Sequence, residues 1–245
     1  MFLMSEPIRL FIGTSANGED AKAEIAYEYS LRANTDRELD IVWMHQTNDT
    51  NSFWYGWNDS RWSTPFSGFR WGIPEYCNFE GKAIYTDVDM VYYGDIGELY
   101  DKELADDEWM LARDGERFGG KEFCVILFDC AKFKDELAPV KTWKQEEYHH
   151  QYLMQALINK KITGYLDPVW NSHDGDAPNW KLLHYTTMNT QPWQPAWFKG
   201  ELKEHPNAGL VRDFWYTYNA AITDGGYDIK DYDIDRGVTY RCIGQ

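Results

Sequence analysis

Two aspartates separated by one residue follow a run that is typical of a buried strand, and their chemistry is that of cation binding. The run, residues 82–86, is apolar and β-favouring, and Asp87 and Asp89 come directly after it. In an extended backbone this spacing turns both carboxylates to the same side, where they repel each other. Mn²⁺ or Mg²⁺ removes that repulsion and leaves positions for phosphate oxygens. The pattern predicts a metal site, although an isolated Asp-x-Asp is also common at turns and strand edges.

His184 is the predicted third ligand of this metal. It stands at the end of another predicted strand, residues 181–185, and strand ends of open α/β sheets are where ligands collect. A lone histidine is otherwise most often a partly buried side chain with a satisfied hydrogen bond. Asp87, Asp89 and His184 therefore form the predicted metal set.

A β-α-β unit precedes the acidic strand and positions its edge. The pattern predicts a strand over residues 8–12 that ends at Gly13 and Thr14, a helix over residues 19–33, and a second strand over residues 39–45. With 245 residues, the chain has the size of one α/β domain.

The rest of the chain continues this alternation of strands and helices. Residues 46–67 predict a long polar loop, of the kind that often serves as a lid or binding flap. The tail, residues 223–245, is expected either to pack loosely or to fold back over the site. The remaining predictions are a short helix within 68–79, strands over 109–113 and 123–128, and helices over 141–160 and 210–222.

Composition excludes several classes of partner. Acids outnumber bases 40 to 24, and the resulting net charge of -16 argues against a nucleic acid or an anionic lipid held by a basic surface. An anionic sugar nucleotide would need a metal or a few local cations. No apolar run approaches the ~20 residues of a transmembrane helix. The four cysteines include no Cys-x-x-Cys pair and follow no secretory leader, so we expect reduced thiols and a cytoplasmic protein.

The motifs together resemble those of the family 8 glycosyltransferases. They are Asp87-Val88-Asp89, then His184-Tyr185-Thr186, then Gln191-Pro192-Trp193. Members of this family are retaining enzymes of the GT-A fold. The resemblance implies an α/β fold with a mixed, mostly parallel sheet flanked by helices. It implies one GT-A domain over residues 1–245, in which about 206–245 form a C-terminal helix and tail.

The resemblance also implies roles for individual residues. Arg70, in a helix ahead of the acidic strand, is similar to the arginine that reaches the sugar and diphosphate. Asp114 resembles the acid that holds hydroxyls of the donor sugar, and Gln151 resembles the glutamine near the reactive face of the sugar. The implied nucleotide-binding set consists of Gly13, Thr14, Arg70, Asp87, Val88 and Gln191.

The chain departs from the family pattern at three places. Glu122-Phe123-Cys124 stands where the family has Asn-(Ser/Ala)-Gly, and His150 stands where the family has an acid before the glutamine. Gln191 replaces a lysine, which removes a cation from the diphosphate. The fold and metal site therefore carry over better than the donor selectivity.

The resemblance implies transfer of a sugar, with retention, from a nucleoside diphosphate donor such as a UDP-sugar to the hydroxyl of a glycan or other acceptor. Gln151 would support the positive sugar through its carbonyl oxygen, since an amide is a poor nucleophile. A catalytically silent GT-A domain that binds a nucleotide sugar or glycan remains open. A nucleotidyltransferase would want a basic phosphate loop, and residues 13–18 contain no Arg or Lys. The oligomeric state is left unassigned.

Several aromatic and histidine side chains elsewhere in the sequence could serve either in ligand binding or in packing. Trp54, Trp57 and Trp62 in the long loop could form a platform for an acceptor sugar, or they could belong to the core. His149 and His150 are adjacent on a predicted helix and point about 100° apart, so they are poorly placed to share an ion.

Overall fold

The protein is described by a computed structural model over residues 6–116, 120–135, 139–145 and 161–242. Within these described residues, nine strands form two sheets, and the pairing of the strands is mixed parallel and antiparallel. The strands are β1 (Ile8–Gly13), β2 (Leu39–Met44), β3 (Lys82–Asp87), β4 (Met90–Tyr92), β5 (Met110–Asp114), β6 (Lys121–Asp129), β7 (Thr163–Leu166), β8 (Ser172–His173) and β9 (Leu182–His184).

The larger sheet has the order β2-β1-β3-β6-β5-β7. Strands β2, β1 and β3 run parallel, as do β5 and β7, whereas β6 is antiparallel to both of its neighbours. The central strands are almost wholly apolar because both faces of the sheet are covered. The predicted fold class, a mixed and mostly parallel sheet flanked by helices, is confirmed.

Five α-helices lie in the described residues: α1 (Ala21–Ala33), α2 (Ile73–Tyr76), α3 (Gly97–Tyr100), α4 (Val140–Gln145) and α5 (Ala208–Thr223). Helix α1 buries an apolar stripe that includes Ala23, Ala26, Tyr27 and Leu31. It packs against β4 and α5. The predicted helices at 19–33 and 210–222 are confirmed. Most of the one predicted over 141–160 lies outside the described residues. The same part of the chain also contains five short 3₁₀ helices: Phe69–Gly72, Cys130–Phe133, Pro168–Trp170, Met188–Thr190 and Ile229–Asp231.

The expectation of one extended strand through both aspartates is wrong. The backbone bends at Val88 and Asp89, and the chain then enters a second sheet of order β4-β9-β8. The bend is held by backbone hydrogen bonds to two different sheets: the Val88 N–H donates to the Gly13 carbonyl at 3.0 Å, and the Asp89 carbonyl accepts from the Tyr185 N–H at 2.9 Å. The two carboxylates therefore face different partners.

The three tryptophans of the long loop belong to the core. Trp54, Trp57 and Trp62 are each more than nine-tenths buried. All three pack against Phe69, with ring centroids 5.4, 5.4 and 5.1 Å away. An acceptor platform requires exposed ring faces, so the structure favours the packing interpretation.

The tail packs against the loop that follows β1. The Asn17 side chain donates to the Val238 carbonyl at 2.9 Å and accepts from the Val238 N–H at 3.0 Å. The Tyr240 hydroxyl accepts from the Ala16 N–H at 2.6 Å. The tail therefore contacts the loop after β1, and its folding back over the site stays a prediction.

All four cysteines are free, in agreement with the expectation of reduced thiols. Cys124 lies in β6, and Cys130 begins the turn just after that strand. The strand ends there because Asp129 caps the turn, accepting a hydrogen bond from the Ala131 N–H.

Candidate metal site at the carboxyl edge of the sheet

Three of the predicted site residues converge at the carboxyl edge of β3. The imidazole Nε2 of His184 lies 3.2 Å from Asp89 Oδ1. A ligand atom of His184 also lies within 4.8 Å of a carboxylate oxygen of Asp87. The three side chains come from β3, the bend after it and β9, which meet because β4 pairs with β9 directly after the bend.

His184 is oriented by a second polar side chain. Its Nδ1 lies 2.9 Å from the Asn171 Oδ1, and this assignment of the amide makes Nδ1 the protonated nitrogen. The Nε2 lone pair is then directed towards Asp89, an arrangement typical of a histidine that ligates a cation. Burial by itself lowers the pKa of His184, but Asp89 and Asp87 beside it raise the pKa above its ordinary value.

Asp87 is held by a buried arginine. Its Oδ1 accepts from Arg70 Nη2 at 3.0 Å and from the Tyr85 hydroxyl. Burial raises the pKa of Asp87, and the Arg70 charge opposes that rise.

Arg70 is itself fully engaged within the protein. It is 4 % exposed, its Nε donates to the Ser67 carbonyl at 2.9 Å, and its Nη1 donates to the Phe123 carbonyl. Its guanidinium also lies over the Tyr85 ring, 4.4 Å from the centroid. The structure thus directs Arg70 at Asp87, and the contact with a diphosphate remains a prediction.

Asp89 is positioned by Gln191. The Gln191 Nε2 donates to Asp89 Oδ2 at 2.8 Å and to the Tyr185 carbonyl at 2.9 Å. The other oxygen, Asp89 Oδ1, is buried and receives no aligned hydrogen bond from the described residues. A buried carboxylate oxygen without a donor, facing an imidazole nitrogen, fits a divalent cation between the two side chains.

The predicted nucleotide-binding residues lie on the neighbouring strand end. A side chain at Gly13 would come within 2.8 Å of the Phe66 ring and 2.9 Å of the Tyr85 hydroxyl, so only glycine fits this close approach. Thr14 is buried, and its hydroxyl donates to Glu24 Oε1 at 2.5 Å. Val88 is buried at the bend. Gly13 is paired with Asp87 in the β1-β3 register, so the two sets of residues are adjacent.

Two site features were not predicted from the sequence. The Cys124 Sγ belongs to the same cluster as the ligand atoms of Asp87 and His184, all within 4.8 Å of one another. Asp20 is buried and accepts the indole N–H of Trp193 at 3.0 Å and of Trp197 at 2.9 Å. The Trp-rich loop was a usable signal for such an acceptor, because a buried indole N–H usually finds a hydrogen-bond partner.

Asp114 is not part of this cluster. Asp114 ends β5 at the same edge, two strands and hence roughly 10 Å from β3. Its side chain is 62 % exposed and pairs with Lys121 at 2.6 Å. Glu122 is paired with Arg113 in the β5-β6 register. Gln151, with His149 and His150, lies outside the described residues.

The protein is similar to several known proteins. No protein-family model matches the sequence. It is 23% identical over 222 residues to Protein CDI of Arabidopsis thaliana, covering 78% of this chain and 82% of that protein.

Among solved structures, the fold is similar to that of the galactosyltransferase LgtC in complex with donor and acceptor sugar analogs. The TM-score is 0.60 at 13% identity, with 87% of this chain and 96% of that chain covered. It is also similar to the glycosyltransferase GlyE of Streptococcus pneumoniae TIGR4, with a TM-score of 0.59 at 16% identity, covering 93% of this chain and 62% of that chain. The resemblance to family 8-like glycosyltransferases is confirmed at the level of the GT-A fold. Among the described helices, none is both long and apolar enough to cross a lipid bilayer.

Proposed function

We propose, on the premise that the chain has the fold of glycosyltransferases, that it transfers a sugar from a nucleoside diphosphate sugar to an acceptor hydroxyl with retention at the anomeric carbon. A UDP-sugar is the first donor to test, and a glycan or another hydroxyl compound is the acceptor. The observation that carries the proposal is the approach of His184 to Asp89, 3.2 Å apart, at the strand end next to Gly13. A mere strand-edge aspartate would not be met by a buried imidazole from a distant strand.

A divalent cation, Mn²⁺ or Mg²⁺, fits this site, with Asp87, Asp89 and His184 as its proposed ligands. When bound, such a cation acts as a Lewis acid that stabilises negative charge on the oxygens of a departing diphosphate. The chain has a net charge of -16, so an anionic donor needs local positive charge of this kind.

The side chains around the ligands would keep the site in place. Arg70 and Tyr85 fix Asp87, and Gln191 fixes Asp89, so that neither carboxylate must reorganise when an anion binds. Gly13 is a proposed donor contact at the end of β1, where glycine leaves room for the Phe66 ring and the Tyr85 hydroxyl. With Thr14, Val88 and Gln191, these residues make up the proposed donor-binding set.

Two residues carry proposed roles away from the cluster. Asp114 would orient hydroxyls of the donor sugar from the end of β5, on the same edge of the sheet. Gln151 would support the positive charge that develops on the sugar in the transition state. A nucleic acid is not a proposed partner because the chain is strongly acidic.

The test is release of nucleoside diphosphate from a panel of sugar nucleotides, with and without Mn²⁺. We expect release from at least one donor that depends on the metal and is lost in Asp89→Asn, because the amide carries no charge for the cation. Asp95→Asn is the control, since Asp95 lies after β4, outside the proposed ligand set, and its Oδ1 accepts from the Gly97 N–H at the start of α3. NMR of the product would report the anomeric configuration. Metal-independent release, or full activity of Asp89→Asn, would overturn the proposal.

A catalytically silent GT-A domain is the second candidate. The tail favours it, because it occupies the backbone N–H of Ala16 and both polar atoms of the Asn17 side chain in the loop after β1. Arg70 favours it as well, because its nitrogens donate to protein groups. Tight, metal-dependent binding of a sugar nucleotide, measured by calorimetry, without turnover of any donor would establish this alternative.

A further inference from the structure

We infer that Cys124 is a ligand of the cation site and that the site therefore favours a borderline-soft metal such as Zn²⁺ over Mn²⁺ or Mg²⁺. The Cys124 Sγ, a carboxylate oxygen of Asp87 and a ring nitrogen of His184 lie within 4.8 Å of one another. Three atoms at these separations can all reach one metal ion placed between them, given metal-ligand distances of about 2.0 to 2.3 Å and small side-chain rotations.

The sheet register places the thiol there. Strands β3 and β6 are antiparallel, and the pair Thr86 and Val125 is the last in their register. The next pair is Asp87 and Cys124, whose side chains lie on the same face as cross-strand neighbours. Phe123 points to the opposite face, where its ring packs 5.3 Å from that of Trp71. The position of Cys124 is thus set by the same sheet that sets Asp87.

A second observation indicates that the cluster is a ligand site. Asp89 Oδ1, 3.2 Å from the His184 imidazole, is buried and receives no aligned hydrogen bond from the described part of the chain. This oxygen lies next to the imidazole of the cluster, although it is not within 4.8 Å of all three of the other ligand atoms. Sulfur, nitrogen and a carboxylate oxygen form a donor set that suits Zn²⁺, whereas Mg²⁺ and Mn²⁺ prefer oxygen ligands.

Binding changes the protonation of the thiol. As the metal-sulfur bond forms, the Cys124 S–H bond breaks, the electron pair stays on sulfur and the proton passes to solvent. No oxidant or reductant is needed. The inference shares its metal site with the proposed function, but it does not require glycosyl transfer, and it is tested without any nucleotide.

The experiment is titration of the full chain with Co²⁺, followed by optical absorption. We expect a sulfur-to-cobalt charge-transfer band in the near ultraviolet and the intense visible bands of four-coordinate cobalt, both removed by added Zn²⁺. Cys124→Ser should lose the charge-transfer band and bind Zn²⁺ at least about tenfold more weakly. Its affinity for Mn²⁺ should remain similar. Cys242→Ser, which changes a cysteine in the tail, should keep the band.

A second measurement needs no variant. X-ray absorption of the zinc-loaded wild-type chain should show one sulfur scatterer at about 2.3 Å among nitrogen and oxygen scatterers. Cobalt or zinc bound with nitrogen and oxygen ligands alone would overturn the inference while leaving the proposed function intact. Loss of the sulfur signal in Cys242→Ser rather than in Cys124→Ser would also overturn it. Conversely, a sulfur-ligated metal in a chain that turns over no donor would sustain the inference and remove the proposed function.

Discussion

The protein contains two pairs of acids, each with one buried and one half-buried member, that have the same residue chemistry and opposite surroundings. Asp20 and Glu24 receive hydrogen bonds from neutral groups: two indole N–H groups for Asp20 and the Thr14 hydroxyl for Glu24. Asp87 and Asp89 face cationic or ligating groups, Arg70 and His184, and one oxygen of Asp89 has no donor.

This difference in hydrogen-bond and charge partners distinguishes a structural cluster, Asp20 and Glu24, from the candidate ligand site, Asp87 and Asp89. Burial raises the pKa of Asp20 to about 6 and that of Glu24 to about 7, because neutral donors only partly offset the lost hydration. In the second pair, burial also raises the pKa of Asp87, but the Arg70 charge opposes that rise, and one oxygen of Asp89 receives no aligned hydrogen bond from the described residues. Partners, more than residue type, decide which acids bind a metal.

The largest expected effect comes from removing the arginine of the second pair. Arg70→Met leaves Asp87 buried without its cation, and we expect the free energy of unfolding to fall by about 3 to 5 kcal/mol. Urea denaturation measures this change. Arg32→Met is the control, because Arg32 is 52% exposed and pairs with Glu28 one turn away, a contact worth about 0.3 to 0.5 kcal/mol. Equal losses in the two variants would show that Arg70 is not holding a buried charge.

The next effect is a pH dependence in the first pair. The folded pKa of Asp20, about 6, lies above its unfolded value of 3.8, so the folded state binds the proton more tightly. Stability is therefore lost as the pH rises from about 4 to about 6. At 1.36 kcal/mol per pKa unit, the loss is about 3 kcal/mol.

Asp20→Asn should remove that loss, because the amide does not ionise. The unfolding free energy of the variant, relative to wild type, should rise by that amount between pH 4 and pH 7. At every pH, the unfolding free energy of the variant is also lowered by a constant amount, because the indole N–H of Trp193 or Trp197 loses its acceptor. For Glu24→Gln, the difference in unfolding free energy from wild type should develop between pH 4.5 and about pH 7. These limits are the unfolded and folded pKa values of Glu24. Stability curves parallel to wild type would mean that these acids are not protonated on folding.

A smaller effect is expected at the residue that positions Asp89. Gln191→Ala removes the donor to Asp89 Oδ2, and metal affinity should fall about 10- to 100-fold, as for other groups that orient a metal ligand. Isothermal titration with Zn²⁺ and Mn²⁺ measures it. Gln194→Asn, an exposed change in the same loop, should leave affinity unchanged. A Gln191→Ala affinity within twofold of wild type would remove Gln191 from the site.

The smallest effect on stability is expected at Asp114. The Asp114 side chain is largely exposed, so Asp114→Asn should change the unfolding free energy by less than about 0.5 kcal/mol. If Asp114 orients hydroxyls of the donor sugar, the loss of kcat/KM in Asp114→Asn, expressed as a free energy, should clearly exceed the change in the free energy of unfolding. A double-mutant cycle with Lys121→Met separates the ion pair from that role, and an unchanged kcat/KM would leave Asp114 a surface residue.

Local pattern predicted much of this fold. The β-α-β start is confirmed because hydrophobic periodicity is a property of a few neighbouring residues. The bend at Val88 was missed, since residues 82–93 are apolar enough for one strand. These residues are divided into two strands only by hydrogen bonds from the bend to two different sheets. The partners in those hydrogen bonds, Gly13 and Tyr185, lie far away in the chain.

The sequence by itself determined which residue types were present, which of them followed strands, and that an acidic chain would need a cation to hold an anionic ligand. Tertiary structure alone decided which of its many acids meet an imidazole, an amide and a thiol. Gln191 and Asp89 are 102 residues apart in the chain and are brought together only by folding. Because such contacts depend on sheet order and register, and not on local spacing, Cys124 joined the site only when β6 was placed beside β3.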